Sequence, residues 1–148
     1  MAISGSLGVW LYEANTLTEV GLLNGHTSSV FTITFSPDGK TLVSGSSDTT
    51  IRLWDVQALN QVAVLRGHTD SMLSGAFNPD GKTLASGGAE PVRNTIRLWD
   101  VQEGKQVGTF DGHTDSVFWV VFSPDGQTLA FASGIFRDKS RSGRYEGM

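Results

Sequence analysis

The chain has 148 residues, with 18 glycines, 4 prolines and no cysteine, and is 39% hydrophobic and 18% charged. That length and composition fit one domain with enough apolar side chains for a core, and they exclude a disulfide scaffold, a thiol nucleophile and any cysteine-ligated zinc or iron–sulfur site. The net charge of −4 divides into −6 over residues 1–134 and +2 over residues 135–148, so the acidic body argues against a nucleic-acid groove. No apolar run approaches a membrane span, and the opening MAISGSLGVWLYE has neither a basic n-region nor a clean apolar h-region. A cytoplasmic location without nucleic-acid or membrane partners is the expectation.

The chain repeats itself. Gly-His-Thr begins at Gly25, Gly67 and Gly112, and Pro-Asp-Gly begins at Pro37, Pro79 and Pro124, with spacings of 42 and 45 in both series. TIRLWDVQ occurs at Thr50–Gln57 and again at Thr95–Gln102, and a weaker copy, GVWLYE, puts Trp10 44 residues before Trp54. Within one period the apolar, β-branched run Val30–Ser36 predicts a first strand, a. Pro37-Asp38-Gly39 predicts a tight turn, and Thr41–Ser46 strand b. After the short turn Ser47-Asp48-Thr49, Thr50–Val56 alternates as strand c, and Gln61–Gly67 is strand d. Nothing has a helical period. One period is therefore a four-stranded antiparallel meander.

Gly-His and Trp-Asp at this spacing, with four short strands between turns, resemble the WD-repeat (Trp-Asp repeat) β-propeller family over nearly all of residues 1–134. The resemblance implies an all-β fold of propeller blades, each a four-stranded antiparallel meander, in a partial propeller of about three blades. The divisions expected are a partial blade (strands b–d) at 1–24, complete blades at 25–66 and 67–111, a partial blade (strands a and b) at 112–134, and a basic loop or tail at 135–148. It also implies a hydrogen-bonded chain of histidine, strand-b hydroxyl, turn acid and strand-c tryptophan. His26, Ser44, Asp48 and Trp54 form a complete set, with Ser46 as an alternative to Ser44. The next repeat has His68, Ser86 and Trp99, but its turn is three residues longer and offers Glu90 beside Pro91, so a weaker network is expected there. The third has His113 and Ser133 as a candidate. The N-terminal copy has Trp10 and Ser4.

Other chemistry is disfavoured. The three histidines sit at the same repeat position in different blades, so a zinc site is not expected. Gly39-Lys40-Thr41 and Gly81-Lys82-Thr83 resemble the end of a phosphate loop but lie in hairpins and lack its first glycine. No Gly-x-Ser-x-Gly occurs, and no catalytic residue, metal or cofactor is expected. Asp55 and Asp100 read as strand-end acids, Asp70 and Asp115 as loop caps.

Two readings of the ends compete. Residues after Ser133 form a b–c insertion like Glu90–Asn94, or the C-terminal a and b strands join the N-terminal c and d strands in one blade. A ring of three blades would be small, so a fragment or an oligomer-forming piece is favoured. Phe35, Phe77, Phe122, Leu53 and Leu98 are expected to pack between blades, and open blade edges make self-association an expectation. The near-identity of the repeats suggests a bacterial protein of recently duplicated blades. The function implied is a non-catalytic scaffold for protein or peptide partners. The alternative is a regulatory or sensory segment of a larger, for example kinase-linked, protein. The expected partner-binding residues on the channel rim are Phe31, Thr32, Ser47, Leu73, Ser74, Phe118 and Trp119, with Ala89 beside them. The competing reading is that the aromatics only pack the channel wall. The basic stretch Arg137–Arg144 is placed beside the same face, where it would steer an acidic partner.

Overall fold

The structure, a computed structural model, describes residues 2–4, 8–90, 94–113 and 115–134, with the backbone alone at 2–4, 94, 112 and 113. The stretch Arg137–Arg144 lies outside the described residues. All regular structure among them is β. Strands β1 (Ala2–Ser4), β2 (Gly8–Tyr12) and β3 (Glu19–Asn24) form a three-stranded sheet. Two four-stranded sheets follow, β4 (Val30–Phe35) to β7 (Asn60–Arg66) and β8 (Met72–Phe77) to β11 (Lys105–His113). Their inner strands are β5 (Thr41–Ser46), β6 (Thr50–Asp55), β9 (Thr83–Gly88) and β10 (Asn94–Asp100). The pair β12 (Val117–Phe122) and β13 (Leu129–Ser133) makes the last sheet. Every sheet is an antiparallel meander, as alternating β-branched residues and short turns require.

The turns repeat as faithfully as the strands. In the first Pro-Asp-Gly turn Asp38 Oδ1 accepts from the Ser36 hydroxyl (2.6 Å) and the Lys40 amide (3.0 Å). Gly39 follows at φ 71°, in the left-handed region where a side chain is strained. Asp125 repeats this with Ser123 (2.5 Å) and the Gln127 amide (3.0 Å). Asp55 and Asp100 close the c–d turns by accepting from the amides of Ala58 (2.7 Å) and Glu103 (2.8 Å). Asp70 accepts from the adjacent Ser71 amide at 2.5 Å.

The core lies between sheets, not within them. Val9, Leu11 and Leu23 of the first sheet meet Val30, Leu42 and Trp54 of the second. Val43, Ile51, Leu53 and Leu65 of the second meet Met72, Leu84 and Trp99 of the third. Ala85 and Ile96 of the third meet Val117 and Val120 of the fourth. Leu53, Phe77, Leu98 and Phe122 all join these layers, whereas Phe35, beside the smaller first sheet, is 41% exposed. Among the described residues the stack is open: β12 and β13 pair with each other and not with β1–β3, so the single-chain closure weighed from the sequence is not formed by them.

Register corrects three readings of the repeats. Gly8 pairs with Asn24 as Thr50 pairs with Arg66, so Tyr12, not Trp10, holds the place of Trp54. Trp10 stands where Arg52 does and is 38% exposed, while Val9 and Leu11 are buried like Ile51 and Leu53. Ser133 pairs with Val117 as Ser46 pairs with Val30, so the place of Ser44 in the last sheet belongs to Phe131. The backbone of Ser4 lies opposite Val9, the place of Gly45 rather than Ser44; its side chain is outside the description.

Glycine is required where neighbouring sheets interlock. A Cβ on Gly87 would stand 2.5 Å from Val117 Cγ1 and 3.3 Å from the Val117 carbonyl oxygen, and one on Gly45 would overlap the Met72 sulfur. Val117 is β-branched and fixed by its strand, and at Gly45 the added Cβ would also stand 2.8 Å from Cγ2 of the β-branched Thr32, beside a Met72 that is fully buried. Gly87→Ala and Gly45→Ala should therefore each destabilise by roughly 1–3 kcal/mol, as overpacking does. Urea denaturation measures both; no loss for either variant would contradict this account.

Candidate functional site

Two features stand out in the described residues: buried polar networks inside the sheets, and an apolar groove across them. In the second sheet the Trp54 indole N–H donates to Ser44 Oγ (2.8 Å). Ser44 then has one proton left, which it donates to His26 Nε2 (2.8 Å). His26 is consequently protonated on Nδ1, which donates to Asp48 Oδ2 (2.8 Å). Asp48 Oδ1 accepts from the Thr50 hydroxyl (2.6 Å), and Oδ2 from the Thr27 amide (3.0 Å). Ser46, the alternative hydroxyl, instead donates to the Ser28 carbonyl (3.2 Å) and accepts from the Asp48 amide (3.0 Å).

The third sheet has the same chain of bonds. Trp99 donates to Ser86 (2.8 Å), Ser86 to His68 Nε2 (2.7 Å), and His68 Nδ1 to Glu90 (2.9 Å). Its longer turn still brings an acid to the ring. Glu has one more methylene than Asp and reaches the same ring nitrogen from a displaced backbone, and Arg97 Nη2 adds a further bond to Glu90 at 3.1 Å. Both indoles press on the glycine before the histidine: a Cβ on Gly25 would lie 3.1 Å from Trp54 Cη2, and one on Gly67 3.0 Å from Trp99 Cη2. This explains why Gly precedes His in these two repeats. The side chain of His113 lies outside the described residues.

Burial lowers the pKa of both His26 and His68, and outweighs the pull of Asp48 and Glu90, which favours the charged ring. For Asp48 burial acts upward, yet the Thr50, His26 and Thr27 donors outweigh it and hold the carboxylate far below its usual range. Glu90 is also lowered: burial again acts upward, against the charges and hydrogen bonds of His68 and Arg97. With neutral rings, each bound into its own sheet by a serine and an acid, these histidines hold structure together. Among the described residues no three His, Cys, Asp or Glu gather in one place.

The groove, of about 940 Å³, runs across the first strands of three consecutive sheets, β4, β8 and β12. The structure brings Phe31, Thr32, Leu73, Ser74, Phe118, Trp119 and Ala89 together along it. Ile33, Thr34, Ser71, Gly75, Asp115, Ser116, Val120 and Gly134 complete its lining; they are the repeat neighbours of the rim positions, which is the signal that points to them. Two of the expected residues behave differently. Ser47 does not line the groove, although its amide donates to the Ser29 carbonyl (2.9 Å) just as that of Ala89, which does line it, donates to the Ser71 carbonyl (3.0 Å). Ser74 is buried, and its Oγ accepts the Val120 amide (3.0 Å), tying β8 to β12 as a strut rather than facing a partner. Phe31 and Trp119 are 53% and 70% exposed.

Meander sheets stacked face to face, the two inner ones each pinned by a Trp–Ser–His–acid chain, define a propeller-type repeat protein. The WD domain, G-beta repeat, matches residues 17–55, 59–100 and 104–140, and the chain belongs to this WD-repeat family. A stretch of 29 residues, 20% of the chain, is 62% identical to 6% of the Notchless protein homolog of Arabidopsis thaliana. A stretch of 44 residues, 30% of the chain, is 44% identical to 9% of Protein FIZZY-RELATED 2 of the same plant. A stretch of the same length and identity matches 9% of the B-type cell cycle switch protein ccs52A of Medicago truncatula. The chain thus matches less than a tenth of the length of each of these relatives. Similarity to WD-repeat proteins of this kind supports a role as a protein-interaction scaffold.

Two outcomes follow from the networks. Trp54 and Trp99 are equally buried and make the same bond, so Trp54→Phe and Trp99→Phe should each cost about 1–3 kcal/mol, because each strands a buried serine. Chemical denaturation that shows a much smaller loss for Trp99→Phe would mean that Glu90 does not complete its network. The second outcome concerns acid. The folded histidines titrate below the ordinary 6.5, so the unfolded chain binds protons first. Their stabilisation is full above that value and falls away as pH drops from 6.5 to the folded pKa values. The stabilisation from Asp48 and Glu90 is lost separately, below the ordinary carboxylate values of 3.8 and 4.5. Thermal melts should therefore show a falling Tm between about pH 7 and pH 5; a flat profile there would contradict neutral, buried rings.

Proposed function

We propose that the chain is a non-catalytic interaction scaffold that takes a segment of a partner protein along the groove over β4, β8 and β12. The observation that carries this reading is the row of Phe31, Leu73 and Phe118, one residue per repeat, lining a groove of about 940 Å³ with Trp119 at its end. Aromatic side chains in a concave surface are the commonest anchors of protein interfaces, because they bury much area at little entropic cost. Thr32, Ser71, Ser116 and Asp115 supply polar groups between the apolar anchors, suited to the backbone of an extended peptide. Membership of a family of interaction scaffolds supports the same reading.

A regulatory role is the second reading, favoured by the relative described as a cell cycle switch protein. In that case the groove serves the same chemistry within a signalling assembly.

The test changes the anchors while sparing the sheets. Phe31→Ser is expected to abolish capture of peptides from a random-peptide display library, because Phe31 is 53% exposed and central to the lining, while leaving the melting temperature within a few degrees. Val62→Ser, an exposed apolar change on β7 away from the groove, should leave capture intact. Peptides that bind the Phe31→Ser protein as tightly as the original would place the binding surface elsewhere.

A further inference from the structure

The two networks stand differently toward the groove. The Ser47 amide donates to the Ser29 carbonyl in the second sheet, and the Ala89 amide to the Ser71 carbonyl in the third. Of these four residues only Ser71 and Ala89 line the groove. They belong to the two short segments that carry the third network: 68–71, which starts at His68, and 88–90, which ends at Glu90. The same segments are tied by His68 Nδ1, which donates to Glu90 Oε1 (2.9 Å), and by the Thr69 amide, which donates to the same oxygen (3.2 Å). They also lie close: a Cβ on Gly88 would stand 2.8 Å from the Ser71 carbonyl oxygen and 3.3 Å from His68 Nδ1. This part of the groove wall is therefore held by the His68–Glu90 pair, whereas the His26–Asp48 pair holds residues outside the groove.

The third network accommodates one arrangement of protons. Ser86 is fully buried; its Oγ accepts from Trp99 and gives its own proton to His68 Nε2. A proton added at Nε2 would meet that hydroxyl proton head on. The hydroxyl would have to turn, and among the described residues Ser86 is bonded to no other side chain. Protonation therefore strands a buried donor or drives the ring, with the segment that carries Ser71, away from β9. The charged groups that act on the ring are Glu90, which favours its charged form, and Arg97 of β10, which opposes it. Ser86 and Gly88 of β9 and Trp99 of β10 are its uncharged neighbours.

We propose that the His68–Glu90 pair is a proton-operated latch on the groove: the neutral ring holds Ser71 and Ala89 together and the partner segment binds, and the protonated ring parts them and the segment is released. The inference rests on the reading of the groove as the partner-binding site. Its consequence is a reciprocal coupling between two places in the molecule. If protonation of His68 weakens binding by some factor, binding must lower the proton affinity of His68 by the same factor. His26 makes the same hydrogen bonds but holds no groove residue, so its titration is expected to ignore the partner.

The test uses the unmodified protein and a peptide from the display library whose capture is lost in Phe31→Ser, chosen free of His, Asp and Glu so that it does not itself titrate. Nuclear magnetic resonance follows the imidazole protons of His26 and His68 from about pH 7.5 downward, with and without the peptide. Bound peptide should move the His68 titration to lower pH and leave that of His26 in place. Affinity should fall by about five-fold or more as His68 protonates. Glu90→Gln removes the charge that favours the protonated ring, so the loss of affinity should move to lower pH; Asp48→Asn, which acts on His26, should leave it where it was. The titrations of the unmodified protein decide the matter if either variant does not fold. A peptide that binds while the His68 titration stays unchanged, or that moves His26 as far as His68, overturns the latch and leaves the groove standing. A library that yields no Phe31-dependent peptide overturns both.

Discussion

Everything in this fold depends on the packing of one sheet face on the next. A four-stranded meander has two faces, and here both faces of the inner sheets are apolar, so neither sheet is stable in isolation. The contact is intimate because Gly45 and Gly87 have no side chain, which lets Met72 and Val117 of the following sheet come within van der Waals distance of the backbone. The same interface recurs along the stack, so equivalent positions line up in columns. The groove is one such column, the row of Phe31, Leu73 and Phe118.

Apolar packing alone would leave the sheets free to slide, since it has no direction. The Trp–Ser–His–acid chains provide the direction. Each donor has one acceptor and each proton one place, so the loop before the first strand, the second strand, the turn and the third strand are fixed relative to one another. What the network constrains is the position of an acceptor oxygen, not the path of the chain that brings it. Asp48 and Glu90 arrive from turns of different length, yet lie 2.8 and 2.9 Å from their histidines. An insertion in the turn is tolerated because a longer side chain makes up the difference.

Much of this could be read from the amino acids. The strands, the Pro-Asp-Gly turns and the residues of the first network follow from periodicity and from a resemblance carried by several motifs in register. What could not be read was set by partners across space. Trp10 drew attention by residue type, but counting back from Gly25-His26 as from Gly67-His68 leads to Tyr12, and pairing with β3 puts it there. Ser133 offered a hydroxyl in the right strand and on the right face but two residues along, opposite Val117 as Ser46 is opposite Val30. Nothing in the sequence around Ser74 reveals that its hydroxyl holds the amide of Val120, 46 residues away. Ser47 is absent from the groove although its repeat counterparts Ala89 and Gly134 line it, a difference between sheets that the repeat pattern does not carry.

A repeat protein therefore assigns roles by place in the stack as well as by place in the repeat. Thr32, Ser74 and Trp119 occupy one repeat position. Ser74, in the middle, has a sheet on each side and spends its hydroxyl on the next strand. Trp119 stands on the first strand of the last described sheet, where the described residues place no following amide to be held, and it is 70% exposed. A hydroxyl there would have no strut to make, whereas an indole presents a large apolar surface with one donor at the end of the groove. The departure from the repeat occurs where the structural demand lapses, and the same logic holds for Phe131 in the place of Ser44. Residues that break the repeat at the ends of the stack are those released from holding it together, and they are the ones free to meet another molecule.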